Sequence, residues 1–469
     1  MHTQTSLTAL EVVNPATDEV LGTVPDLSVE QVDGIVARAR TGQRIVAAMP
    51  AHERARLLND AADRIAGERD QLARLLAAEN GKPCAQTEAE VDAAVRIFRG
   101  CAGEATRLFG RQIPLDAVPG LERHLAVTVR EPLGVVAALV PFNYPVELYA
   151  HKAAAAIAAG NAVVVQPPRR CPLTLVRIAE ILLEAGVPEE AHQLATGGVA
   201  VSQRLAEHPD VAAVSLTGST AAGREIARRA ADTFKKVLLE LGGNDAMIVC
   251  EDADVDAAAE AVVLGRLARG NGQICCAVKR VYVADAVHDA FVDALTSQAA
   301  GLVVGDPIES KTDVGPLIST DAAEAVESAI ARLVEDGARL VLGGERDGAY
   351  LRPAVLVDVP TTSPALAEEI FGPVAPVARF SDPFEAVDMV NDSPYGLQAA
   401  IWTRDVQRAF QLAHRLDVGG VVINGSTALR SENLPFGGTK DTGGAREGYH
   451  DTVLELTRQK TLVVMEAFA

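Results

Sequence analysis

Short apolar runs separated by helical segments constrain this chain more than any other feature. Between His124 and Val140 the residues pass from alternating to continuous β-formers, ending in GVVAALV. Further runs lie at Ala162 to Val165, Val211 to Leu216 and Asp245 to Val249. A strand that is apolar throughout must be covered on both faces, and parallel neighbours need long crossovers, so the pattern predicts βαβ units. Aromatic residues make up only 4% of the chain while Ala, Val, Leu and Gly abound, which suits close helix-on-sheet packing rather than a β-sandwich. The 469 residues are expected to form two or three domains of α/β class.

Towards the amino end, Glu11 to Pro25 reads as a strand, an Asn-Pro turn and a second strand, with Ser28 capping a helix. Residues 51–79 carry apolar positions at helical spacing and end at Asn80-Gly81-Lys82-Pro83, where Gly stops a helix and Pro bars its restart. One βαβ series closes near Gly243 and Asn244, and another begins with VKRVYVAD and runs to about residue 435, so a domain boundary is placed between them. The ending LELTRQKTLVVMEAFA contains an exposed strand whose open edge suits pairing with another subunit.

Lys and Arg total 43 against 63 Asp and Glu, and the net charge of -20 opposes nucleic-acid binding. An anionic substrate would have to be captured by a few local cations against this field. The six cysteines show neither metal-ligand spacing nor a small disulfide framework, which suits free thiols in a reducing cytoplasm. No basic segment leads into an apolar core at the start, and no run approaches ~18 apolar residues, so an unexported protein without a membrane partner is expected.

Three segments bear chemistry. Gly270-Asn271-Gly272-Gln273-Ile274-Cys275-Cys276 sets a thiol in a glycine-rich turn, where backbone N–H groups approach both sulfur and substrate. Taken alone, the pair reads equally as two small buried hydrophobes. Glu240 lies 35 residues upstream at the end of VLLE, where apolar neighbours would raise its pKa towards that of a general base. Pro141-Phe142-Asn143-Tyr144-Pro145 directly follows GVVAALV, and its prolines hold Asn143 at the sheet's carboxyl end, an amide able to donate to an oxyanion or simply to form a turn.

In this order and spacing the three segments resemble the aldehyde dehydrogenase superfamily over essentially the whole chain. Leu216-Thr217-Gly218-Ser219-Thr220, Glu368-Glu369-Ile370-Phe371-Gly372-Pro373 and Pro435-Phe436-Gly437-Gly438-Thr439-Lys440 reinforce the likeness. The resemblance implies Cys275 as nucleophile, Asn143 and the Cys275 N–H as oxyanion hole, and Glu240 as the base that activates water. The thiolate would add to an aldehyde, the adduct would collapse with hydride transfer to a nicotinamide, and water would release a carboxylic acid. Lys152 and Glu447 match positions linked to proton exit from the base. Cys276 has no assigned role beyond that of a neighbouring thiol. A coenzyme A-acylating enzyme would use the same cysteine without needing Glu240, and a non-catalytic relative would be expected to have lost one of the three groups.

The implied architecture is a Rossmann-like dinucleotide-binding domain (1–117 and 135–243), an α/β catalytic domain (244–435) and a β oligomerisation arm (118–134 and 436–469), giving a homodimer or homotetramer. Gly218, Ser219 and Gly223 follow the run VAAVSL and open a helix, so that amides face a pyrophosphate. Leu241, Glu369 and Phe371 match the nicotinamide end. At the adenosine end, Gln166-Pro167-Pro168-Arg169-Arg170 replaces the family's usual Lys-Pro-small-Glu. Gln166 still bonds a hydroxyl, and Arg169 in place of an acidic residue tilts NAD or NADP mildly to NADP. The likeness is nearest to lactaldehyde, phosphonoacetaldehyde and non-phosphorylating glyceraldehyde-3-phosphate dehydrogenases, which implies a small polar or anionic aldehyde met by Arg107, His151 and Arg430. Ile274 departs from that branch's phosphate-handling members, which commonly carry Arg before the nucleophile.

Overall fold

The apolar runs assemble into two largely parallel sheets. In the computed structural model, which describes residues 8–468, the first sheet has five parallel strands in the order His192–Leu194, Ala162–Gln166, Val135–Leu139, Val211–Thr217, Lys236–Glu240. Chain order reverses direction between Val135–Leu139 and Val211–Thr217, which opens a crevice at their carboxyl ends. Every residue of Val135–Leu139 and Ala162–Gln166 is buried, as the unbroken apolar runs require. The first seven residues, on which the expectation about an export leader partly rests, and Ala469 at the end of the arm lie outside the described residues.

The second sheet runs Arg339–Leu342, Ala354–Val357, Val374–Phe380, Arg280–Ala284, Ala246–Val249, Gln398–Trp402, Gly420–Ile423 and is parallel except at its first edge strand. Only five residues separate Glu240, the last of the first sheet, from Ala246 on an interior strand of the second. The carboxyl ends of one sheet are thus tied closely to the amino ends of the other.

The helix Pro145–Ala158 is buried at every position. Its alanines let it sit between the first sheet and an outer layer that includes Ala51–Gly67 and Cys84–Ala105, in one core with Leu57, Phe98, Ile157 and Val163. The helical stretch expected over 51–79 is two helices, Ala51–Gly67 and Arg69–Asn80, broken at Glu68, whose carboxylate takes two bonds from Arg177. In the arm, Leu125–Pro132 does not pair with Val135–Leu139 but lies between Gln112–Ile113 and the distant Thr457–Val464. Gly134, with φ of +141°, redirects the chain into the core. Thr457–Val464 therefore has one neighbour in its own chain and an exposed outer edge. Among the described residues no helix is long and apolar enough to cross a membrane.

Candidate active site

At the crevice, the Gly218 N–H donates to Glu240 O (3.0 Å) and Ser219 caps the helix Thr220–Ala231 by accepting from Ala222 N (3.2 Å). The Thr220 and Ala221 amides have no acceptor among the described residues and remain open to an anion. A Cβ at Gly223 would fall 2.5 Å from Leu241 Cδ1, so glycine is what lets Leu241 lie across that turn. Leu139, Gln166, Gly198, Thr217 and Ile226 enclose a cavity of about 310 Å³, and beyond Thr217 a second of about 360 Å³ is lined by Asn143, Ser219, Leu241, Cys275, Glu369 and Phe371. The continuous trough, its open amides and its glycine turn fit an extended dinucleotide. Gln166 Nε2 is engaged by Gly197 O and Gly198 O, which leaves its oxygen as acceptor. Arg169 reaches the first cavity from an exposed position, bridging to Asp26 at 3.3 Å, and Glu225 stands on the same wall.

The nucleophile's turn is an irregular, buried piece of chain. A π-helical turn, Val263–Ala268, precedes it, and Gly270, Asn271 and Gly272 have φ of 58°, 53° and 73°. Left-handed backbone is unfavourable for Asn, but its side chain compensates by donating to Gly81 O (3.0 Å) and Pro316 O (2.8 Å) and accepting from Gly315 N (2.9 Å). Two buried cations complete the support. Arg266 donates to Gly272 O, Ile370 O and Val374 O, and Lys279 donates to Gly243 O, Cys275 O and Glu369 Oε1. Lys279 thereby links the nucleophile to Glu369.

Asn143 and Tyr144, consecutive in sequence, face two cavities. Asn143 lines the one that holds Cys275, while Tyr144 lines a third, of about 540 Å³, with Glu147, Arg269, Arg430 and Glu432. Among the described residues neither the Asn143 amide nor the Cys275 N–H donates to a protein acceptor, so both remain available to an incoming oxygen. Phe142 packs edge-on against Phe371, ring centres 5.9 Å apart. The adjacent Cys276 thiol and burial push the Cys275 pKa up, and the charges of Lys279 and Arg430 oppose them.

Behind this wall lies a cluster of buried charges. Lys152 bonds Thr217 Oγ1 (2.7 Å) and Glu447 (3.3 Å), and Arg430 contacts both Glu447 and Glu147, the latter at 2.9 Å. Glu240 Oε1 is buried without a hydrogen-bond partner among the described residues. Burial, then the Glu447 charge, raises the Glu240 carboxyl well above the usual range. Burial would raise Glu447 too, but Lys152 and Arg430 hold it well below that range. The charges of Lys152, Arg430 and Arg446 oppose the rise at Glu240.

The residues expected to meet an anion divide three ways. Arg107 is not at the site: it stands 62% exposed just past the helix Cys84–Ala105, bridged to Glu104 at 3.1 Å, because the helix turns that face to solvent. His151 is buried, burial lowers its pKa to about 4, and both ring nitrogens lack partners among the described residues, so it is a neutral imidazole away from the 540 Å³ cavity's wall. Arg430 does line that cavity, with its charge already shared by two carboxylates. Arg269 went unnoticed in the sequence, although it directly precedes the glycine turn. It lines the same cavity, donates to Ala428 O, sits 5.9 Å from the Tyr144 ring centre and forms no ion pair among the described residues. Ile274 is buried against Cys276 and Phe436.

The model of the aldehyde dehydrogenase family matches residues 2–462. The chain is 36% identical to 3-sulfolactaldehyde dehydrogenase of Priestia megaterium over 462 residues, 98% of this chain and 96% of that protein. It is 37% identical to the NADP(+) succinate-semialdehyde dehydrogenase of Escherichia coli over 446 residues, 94% and 91% of the two chains. A crystal structure of glyceraldehyde-3-phosphate dehydrogenase GapN from Methanocaldococcus jannaschii complexed with NADP superposes with a TM-score of 0.93 at 35% identity, covering 97% of this chain and 99% of that one.

Two substitutions probe this geometry. Gly223→Val should displace Leu241 and raise the dinucleotide Kd by about tenfold or more, read by fluorescence titration. Lys279→Met should slow alkylation of Cys275 by iodoacetamide at neutral pH roughly three- to tenfold, since the thiolate loses a nearby cation.

Proposed function

The chain belongs to the aldehyde dehydrogenase family and is an NAD(P)-dependent aldehyde oxidoreductase; from that premise we propose that it oxidises a small anionic aldehyde to the acid at Cys275. The observation that carries the residue assignment is one cavity in which a half-buried thiol meets two donors, the Asn143 amide and the Cys275 N–H, that no acceptor among the described residues occupies. The aldehyde enters from the Tyr144 side. The Cys275 thiolate forms a bond to the carbonyl carbon, and the oxygen, taking the electron pair, receives the two hydrogen bonds. A nicotinamide dinucleotide, when bound, supplies the hydride acceptor that makes this adduct a thioester. Gly218, Ser219, Gln166, Glu369 and Phe371 would hold it.

Glu240 then takes a proton from the water that attacks the thioester carbon. The C–S bond breaks with its electron pair going to sulfur, the carboxylic acid departs and the thiolate is restored. Lys152 and Glu447, beside Glu240, carry the proton away. Because Glu240 acts only when ionised and its pKa is raised, thioester hydrolysis quickens as pH rises through that elevated value. Glu240→Gln should erase this pH dependence and slow turnover about a hundredfold while leaving a first-turnover burst of reduced cofactor, measured by stopped-flow absorbance.

Arg269 supports the anionic class: it is the cation of the substrate cavity without an ion pair among the described residues, and the named relatives act on sulfonated, carboxylated and phosphorylated aldehydes. Arg169 on the cavity rim supports a mild preference for NADP, tempered by its bridge to Asp26 and by Glu225. The two sheets support the division into a dinucleotide-binding and a catalytic domain, and the open edge of Thr457–Val464 supports a homodimer or homotetramer paired through it. Six free cysteines suit a cytoplasmic setting.

A panel of succinic semialdehyde, glyceraldehyde 3-phosphate and a sulfonated aldehyde against propanal and lactaldehyde tests the substrate class. At least one anion should exceed the neutral aldehydes about tenfold or more in kcat/KM, and Arg269→Gln should remove that advantage through KM. Equal use of neutral aldehydes, or indifference to Arg269→Gln, would sink this reading.

A further inference from the structure

The corner between the helices Arg69–Asn80 and Cys84–Ala105 carries a buried ion pair that the chemistry above leaves unused. The Lys82 and Glu90 side chains are 1% and 0% exposed and bonded to each other. Their other bonds go to the loop that presents Asn143. Lys82 Nζ donates to Asn143 O (2.8 Å) and lies 4.0 Å from the Tyr144 ring centre, and Glu90 Oε1 accepts from Val146 N (2.8 Å) and Glu147 N (3.3 Å). From the same corner Asn80 Nδ2 donates to Phe142 O (2.6 Å). The helix Pro145–Ala158 starts at Tyr144 with no capping side chain of its own, so Glu90 caps it from another helix and sets a negative charge at its positive end.

Desolvating two charges cancels most of what their attraction returns, so a pair like this adds little net stability. What it specifies is the orientation of one short loop. We propose that Lys82 and Glu90 are positioning residues that fix the Asn143 peptide and so aim its side-chain amide at the oxygen bound beside Cys275. The inference rests on Asn143 being the oxyanion donor. Lys82 grips the carbonyl of that residue and Glu90 the amides three and four positions on, which leaves the Asn143 backbone little freedom to rotate.

Asn143→Ala alone reports on the donor, with an expected loss in kcat of about a hundredfold. Lys82→Met with Glu90→Met removes both charges at similar volume. This chain should fold and keep its dinucleotide Kd within about twofold, yet lose about tenfold or more in kcat with little change in aldehyde KM. In an Asn143→Ala background the same replacement should cost less than about threefold, because no donor is left to misplace. Glu90→Gln, which keeps an accepting oxygen, should give a smaller loss with the same dependence on Asn143, and it decides the matter if the double replacement does not fold. A kcat untouched by these changes, or a loss equal with and without Asn143, would make the pair merely structural and overturn the proposal. If Asn143→Ala alone left kcat intact, the donor assignment itself would fall and this inference with it.

Discussion

Buried loop carbonyls need donors, and this site exists because side chains far away in sequence provide them. Cys275 and Asn143 sit on irregular segments between two sheets, where neither ladder nor helix satisfies the backbone. An unpaired buried carbonyl is costly, so each such segment depends on an interior donor. Arg266 holds Gly272, Ile370 and Val374, Lys279 holds Gly243 and Cys275, and Lys82 holds Asn143. Each of these cations joins pieces of chain that a dehydrogenase must keep in register. A long cationic side chain does this well because one head can satisfy several acceptors at once.

Buried charge also sets the resting state of the base. Burial and the Glu447 carboxylate disfavour the ionised form of Glu240, against the pull of Lys152, Arg430 and Arg446. Ionising it sets a second carboxylate charge near Glu447 in a place with little water. The overall charge of -20 has little bearing on such a site, since surface charges are screened while interior ones are not.

The parts of the fold that could be read from the sequence were those whose cause is local. Val135–Leu139 is apolar because both its faces are covered, and that is visible in five residues. Cys275, Glu240 and Asn143 sit in distinctive glycine- and proline-rich surroundings. Lys82, Glu90, Arg266 and Lys279 were not legible, because a charged side chain reads as surface unless its buried partner is known, and that partner lies as much as 108 residues away. Arg107 shows the converse error: it looked like a ligand, but the helix before it turns it outward. The arm was partly legible. Its strands carry β-formers, while the pairing of Leu125–Pro132 with Thr457–Val464 spans most of the chain and leaves no local trace.

The corner that carries Lys82 has a further reach. Its Gly81 carbonyl receives Asn271, its Gln86 accepts from Gly270 N, and its Cys84 N–H donates to Pro307 O, so it touches segments made much later in synthesis. Contacts of such separation close late and slowly. As the chain leaves the ribosome, this corner can form its helices early, but the turn that bears Cys275 cannot be held until the second sheet is in place. The nucleophile therefore matures last, and a nascent or half-folded chain exposes an ordinary cysteine rather than a catalyst.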